Sequence, residues 1–65
     1  MTLKQARHAA IEWARNLEKG GCVSIFRTVP RQFGIEIGNT PYRPGLVQII
    51  HADWVREGFY DGMYR

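Results

Sequence analysis

Apolar side chains in the first twenty residues recur at intervals of three and four, which is the spacing of one helical face. The positions of this stripe are Leu3, Ala6, Ala10, Trp13, Ala14 and Leu17. A T-x-x-Q capping box begins at Thr2. Gly20 and Gly21 end the pattern, because glycine accepts the left-handed backbone that terminates a helix. The sequence therefore predicts a helix over about residues 3–19, with Trp13 as the main filler of its packed face.

Two segments with the period of two that is typical of strands follow the helix. Cys22–Val29 is rich in β-branched residues and stops at Pro30, which lacks the N–H that a central strand needs. Its predicted faces are Val23, Ile25 and Val29 on one side, and Cys22, Ser24, Phe26 and Thr28 on the other. Phe33–Ile37 alternates with its apolar residues toward the core and Glu36 outward. The short connection over 29–32 favours an antiparallel pair.

The remaining chain contains a third apolar segment after a loop. Residues 38–45 concentrate glycine, proline and asparagine, which predicts one ordered loop. Leu46–His51 is predicted to be a strand, because valine and isoleucine cluster in it. A single helix over 46–57 is the alternative. If the strand forms, Asp53 is placed to cap a short helical turn over 54–57.

The order of these elements predicts a single α+β domain over residues 1–65. An N-terminal helix would pack on a three-stranded antiparallel sheet, with a short C-terminal helical turn. A chain of 65 residues buries a marginal core, and its one cysteine cannot form an internal disulfide. Association of copies is the remaining stabilising route, so we expect a homo-oligomer.

The composition indicates where the protein is expected to be located and which charge it carries. No apolar run approaches the roughly 20 residues of a membrane helix, and no secretory signal opens the chain. A lone cysteine without an export signal is expected in the reducing cytoplasm, away from membranes. The net charge is +3, with seven arginines to two lysines, and the positive excess lies in residues 1–43. Arginine-rich surfaces suit phosphate or carboxylate partners.

Candidate catalytic residues are few. His51 and Asp53 would point to the same face if both lay on a strand, as a base and its orienting carboxylate do. Asp53 as a helix cap is the alternative that we favour. Cys22 follows a helix C-terminus, where the dipole opposes a thiolate, so we expect it to be structural. Metal-ligand spacings and phosphate-binding glycine loops do not occur. The sequence predicts neither an enzyme nor a cofactor.

Two kinds of macromolecular partner fit the aromatic and basic residues. Aromatic and basic side chains interleave at Phe26, Arg27, Arg31, Phe33, Tyr42 and Arg43. Such interleaving can hold single-stranded nucleic acid by stacking, so a basic DNA- or RNA-binding regulator is one hypothesis. Tryptophan, tyrosine, methionine and arginine are also enriched in protein interfaces. The C-terminal third carries several of these residues.

The interface hypothesis is the one that we prefer. It describes a non-enzymatic interaction module, a small regulator or inhibitor of a larger assembly, such as phage and mobile-element accessory proteins often are. The binding surface would combine the 38–45 loop, the face of the sheet away from the helix, and the C-terminal tail. The partner-binding residues that we predict are Arg27, Arg31, Tyr42, Arg43, Phe59, Tyr60 and Tyr64.

Overall fold

The computed structural model describes residues 1–38 and 44–62 and has the predicted α+β architecture. Its elements are α1 (Leu3–Arg15), β1 (Cys22–Val29), β2 (Gln32–Ile37), β3 (Leu46–His51) and α2 (Ala52–Arg56). The sheet order is β2-β1-β3, and both outer strands run antiparallel to β1. A strand followed by a short helix therefore occupies 46–57, and the single-helix alternative is wrong.

Both ends of α1 are determined by side-chain hydrogen bonds. The Thr2 hydroxyl accepts from the Gln5 N–H at 3.2 Å, and the Gln5 side chain accepts from the Thr2 N–H at 2.9 Å, as the capping box predicts. The helix ends at Arg15, four residues earlier than predicted. Asn16 explains the difference, because its side-chain amide donates to the Glu12 carbonyl at 3.2 Å. The Asn16 backbone N–H donates to the Trp13 carbonyl and not to the Glu12 carbonyl, and this i to i−3 bond tightens the last turn.

The core lies between α1 and one face of the sheet. Ala6, Ala10 and Ala14 are fully buried and belong to the same cluster as the central β1 residues Val23 and Ile25. The prediction that Trp13 fills this interface is wrong, since its side chain is 45% exposed. The buried positions of α1 are three alanines, whose small side chains allow close packing on the sheet, and Trp13 lies at the border of this stripe.

Two residues predicted to face the core are mostly exposed. Val29 follows a register shift between Arg27 and Val29 in the β1–β2 pair, so it no longer continues the alternation of Val23 and Ile25. Ile37 ends the outer strand β2 and is 59% exposed. Both corrections come from positions near strand ends, where alternation is a weaker guide than it is in the middle of a sheet.

The sheet face opposite α1 is not an open surface at its centre. Ser24 and Phe26 alternate with the core residues of β1 and point to this face, as predicted, yet both are buried. The Ser24 hydroxyl donates to the Gly38 carbonyl. The Phe26 ring lies against Gly34, where an added Cβ would be 3.0 Å from the ring. Phe26 is therefore a packing residue and does not offer its ring for stacking.

The β1–β2 hairpin has a strained turn at Arg31. Pro30 and Arg31 form a two-residue connection, and Arg31 has a φ of 66°, a conformation that favours glycine. The left-handed backbone costs a residue with a side chain about 1–2 kcal/mol. Glycine removes that strain but adds about 0.5–1 kcal/mol of entropy cost. We expect Arg31→Gly to raise the free energy of unfolding slightly, measured by urea titration, and a loss above 1 kcal/mol would contradict the turn geometry.

Candidate interaction surface

Helix α2 begins directly at the end of β3. Ala52 donates its N–H to the Gly21 carbonyl at 3.0 Å, which ties the start of α2 to the loop after α1. His51 occupies the N-cap position without a side-chain cap. Asp53 lies in the first turn, so the prediction that it caps a turn over 54–57 is wrong in position. Its carboxylate instead accepts from the Gly20 N–H at 3.3 Å, and its negative charge suits the helix N-terminus.

The end of α2 is a Schellman motif, and this motif places two aromatic rings together. Gly58 has a φ of 80° and donates its N–H to Val55, while the Phe59 N–H donates to the Trp54 carbonyl at 3.0 Å. The motif usually carries an apolar contact between the corresponding side chains. Here that contact is Trp54 with Phe59, whose ring centres are 5.1 Å apart.

Three neighbouring rings form what we call the C-terminal aromatic surface, defined as His51, Trp54 and Phe59. The His51 and Trp54 ring centres are 4.3 Å apart, so Trp54 is in contact with rings on both sides. Trp54 is 45% and Phe59 54% exposed, and His51 is partly buried. Removing a surface of adjoining, exposed aromatic rings from water is favourable, so covering it with a partner would release free energy.

Tyr60 lies behind this surface and holds the tail against the sheet. Its ring packs edge-on against Phe59 at 5.0 Å, and its side chain is only 6% exposed. Its hydroxyl accepts from the His51 backbone N–H at 3.2 Å. The sequence predicts Tyr60 to be a partner-binding residue, but its side chain is buried beside Phe59, so it is not part of the exposed surface.

The structure brings together Cys22 and His51, between which the sequence predicts no contact. They face each other across β1 and β3, and the Cys22 Sγ lies 3.4 Å from the His51 Nδ1. The catalytic interpretation of His51, which we did not favour, needs Asp53 as its orienting carboxylate. Asp53 lies on α2 and binds the Gly20 N–H and the Arg56 guanidinium, so this pair does not form. The strand register, which sequence does not determine, creates the thiol–imidazole contact.

Two further predicted partner-binding residues, Arg27 and Arg31, lie away from the C-terminal aromatic surface. The Arg27 guanidinium carbon is 5.6 Å from the centre of the Phe33 ring, and these residues pair across β1 and β2. Arg31 is exposed at the hairpin turn. Tyr42, Arg43 and Tyr64 lie outside the described residues. Of the four predicted residues that the structure describes, only Phe59 belongs to the surface. Trp54 and His51 were missed, although the Gly58 helix stop was a usable signal for the contact between Trp54 and Phe59.

The described ranges, 1–38 and 44–62, hold no group of three or more His, Cys, Asp or Glu residues placed to bind a metal ion. Within the same ranges, no helix has the length and apolar character to cross a membrane. A shallow groove of about 510 Å³ lies beside Cys22 and is bounded by Leu17, Gly38 and Ile37.

Comparisons of the chain with known protein families, curated proteins and solved structures find no match.

Proposed function

We propose that this protein is a non-enzymatic protein-interaction module, and that it contacts its partner through the C-terminal aromatic surface. The observation that carries the proposal is the exposure of Trp54 and Phe59 as contacting rings on a rigid support. Tryptophan is among the residues that contribute most free energy to protein interfaces. Because the Schellman motif and Tyr60 fix the rings in advance, little entropy is lost on binding.

The charge around the surface favours a protein over a nucleic acid. Lys19, Asp53, Arg56 and Glu57 line one shallow groove between α2 and the loop after α1. They contribute two positive and two negative charges, and Arg56 pairs with Asp53 at 3.4 Å. Nucleic-acid binding needs an excess of positive charge to displace counterions. These four side chains do not provide that excess, and the buried Phe26 removes one ring from the alternative stacking site.

The proposed role is that of a small regulator or inhibitor of a larger assembly, acting by occupying a surface. A rigid aromatic anchor on a 65-residue scaffold fits the insertion of one apolar residue pair into a pocket of a larger protein. The module then requires no chemistry of its own. Cys22 can be replaced in this account without loss of binding, because its thiol contacts the surface only through His51 and belongs to none of the three rings.

The test compares two tryptophans of equal exposure. Trp54 and Trp13 are each 45% exposed, but only Trp54 belongs to the C-terminal aromatic surface. We expect Trp54→Ala to abolish co-purification of partner protein from the native host, and Trp13→Ala to retain it. Removing a central aromatic anchor costs roughly 2 kcal/mol or more, about a thirtyfold loss of affinity. Circular dichroism would verify that both variants remain folded.

Three results would count against the proposal. Equal retention by both variants would remove the surface from the interaction. Equal loss from both folded variants would point to exposed tryptophan in general and not to this surface. Captured material that disappears after nuclease treatment, with binding that weakens steeply as salt rises, would favour the DNA- or RNA-binding alternative.

A further inference from the structure

The directions of the main-chain groups in β1 can be read from two hydrogen bonds. Gly38 donates its N–H to the Cys22 carbonyl at 2.8 Å, so the main-chain groups of Cys22 face β2. Arg27 donates its N–H to the Gly45 carbonyl at 2.8 Å, so those of Arg27 face β3. Main-chain groups alternate in direction along an antiparallel strand. Ser24 and Phe26 therefore bond to β2, and Val23 and Ile25 to β3.

This alternation identifies which groups of the outer strands point away from the sheet. In β2 they belong to Phe33, Ile35 and Ile37, the residues opposite Arg27, Ile25 and Val23. In β3 they belong to Ile49 and His51, opposite Ser24 and Cys22. Two separate hydrogen bonds agree with this assignment. Phe33 donates its N–H to the Met1 carbonyl at 3.1 Å, and His51 donates to the Tyr60 hydroxyl.

The two edges of the sheet, formed by β2 and β3, are protected to different degrees against the addition of another strand. The β3 edge has a register shift beside Ile25 and Phe26, and the Tyr60 hydroxyl occupies one of its outward donors. A bulge and a covering side chain are both means of preventing strand addition. The β2 edge pairs with β1 without a shift from Phe33 to Ile37, and its Phe33 N–H is held only by the carbonyl of the exposed terminal residue Met1. Within the described residues, the outward groups of Ile35 and Ile37 have no hydrogen-bond partner.

We propose that the β2 edge pairs with the β2 edge of a second copy of this chain, forming a two-fold dimer with a continuous six-stranded sheet. A two-fold axis at Ile35 opposes Ile35 to Ile35, Phe33 to Ile37, and Gly34 to Glu36. The outward groups of both strands then bond to each other. The proposal is independent of the proposed function, because the β2 and α2 residues involved are different.

Charge and side-chain exposure select this occupant and this register. Moving the axis by one residue to Glu36 would place two carboxylates directly opposite each other, which destabilises a strand pair. With the axis at Ile35, Glu36 is opposite Gly34 and no like charges meet. Ile37 is 59% exposed in the single chain and gains Phe33 of the second copy as its cross-strand neighbour. A self-complementary strand produces a closed two-fold interface, as is common in homodimers.

In the dimer, the hydrogen-bonded pair between Phe33 and Ile37 of the second copy forms only if the N-terminus moves. The Met1 carbonyl holds the Phe33 N–H in the single chain, and Met1 is itself exposed. On association, the Ile37 carbonyl of the second copy takes over this N–H. The N-terminal residue is thus displaced from the strand, while Thr2 and the capping box of α1 stay in place.

The test removes one outward N–H from each edge in turn. Proline lacks the N–H and is tolerated on an edge strand where that N–H faces away from the sheet. We expect Ile35→Pro to weaken the dimer by at least about tenfold and Ile49→Pro, its counterpart on β3, to leave it unchanged. Ile37→Lys provides a second variant at an exposed position, and we expect the same tenfold weakening, since it places a cation near Arg27 of the second copy.

The readout is the mass measured by multi-angle light scattering over a concentration series of the purified full chain. The single-copy mass is 7.5 kDa. The proposal expects twice this mass at high micromolar concentration for the unaltered chain and for Ile49→Pro. For Ile37→Lys and for folded Ile35→Pro it expects an average mass shifted toward that of the single copy, with the half-dimer concentration at least about tenfold higher. A single-copy mass for the unaltered chain overturns the proposal. A dimer that survives Ile37→Lys also overturns it, even if Ile35→Pro does not fold.

Discussion

Replacing Gly45 by alanine is expected to lower the free energy of unfolding by roughly 2–5 kcal/mol. Gly45 has a φ of 82°, a conformation that costs a residue with a side chain about 1–2 kcal/mol. An added Cβ would also lie 2.6 Å from the Arg27 carbonyl oxygen, which is backbone of the central strand and cannot rotate away. The clash therefore has to be relieved by moving the start of β3 away from β1.

Gly20 is the matched control for this prediction. Its φ of 84° is nearly the same, but an added Cβ meets nothing within 4 Å. Gly20→Ala should thus show the backbone cost alone, about 1–2 kcal/mol. Chemical denaturation of both variants measures the difference. Equal losses for the two alanines would contradict the close approach of Gly45 to β1.

Replacing Tyr60 by alanine has the second large expected effect. Tyr60 is a buried aromatic residue of the core cluster, and truncation of such a residue costs about 3–5 kcal/mol. Domains of this size have small total stability, so we expect the variant to lose its cooperative thermal transition or to unfold at a much lower temperature. The tail would also lose its attachment to β3, because the hydroxyl that accepts from His51 disappears.

Tyr60→Phe separates the ring from the hydroxyl. It keeps the packing and removes one hydrogen bond, so we expect a loss of only about 0.5–1.5 kcal/mol. Thermal unfolding followed by circular dichroism measures both variants. A loss for Tyr60→Ala no larger than that for Tyr60→Phe would mean that the ring does not belong to the core.

The sequence predicts the elements of this fold well because their signals are local. The capping box at Thr2 and the alternation in Cys22–Val29 involve residues within one turn or one strand. The errors arise where neighbours distant in sequence decide the outcome. Trp13 has the correct helical spacing to be buried, but the alanines form the buried stripe and Trp13 is 45% exposed at its border. The early end of α1 depends on one Asn16 side chain that competes with the backbone.

The candidate surface was less predictable than the fold, because it depends on how the tail turns back. Phe59 and Tyr60 are adjacent aromatic residues with equivalent sequence signals. Only the structure shows that Gly58 reverses the chain so that Tyr60 is buried and Phe59 is exposed. The position of Cys22 opposite His51 similarly depends on the strand order, since β1 lies between β2 and β3. Composition indicated an interface in the second half of the chain but could not indicate its residues.

Photo-crosslinking in the native host tests the central claim most directly. p-Benzoylphenylalanine would replace Phe59 in one variant and Val29, which has nearly the same exposure, in the other. The account predicts that illumination of the first variant gives a discrete, nuclease-resistant crosslink to another protein, and that the second variant gives none. Crosslinking from position 29 alone, or from neither position in a folded protein, would contradict the assignment of the C-terminal aromatic surface as the binding site.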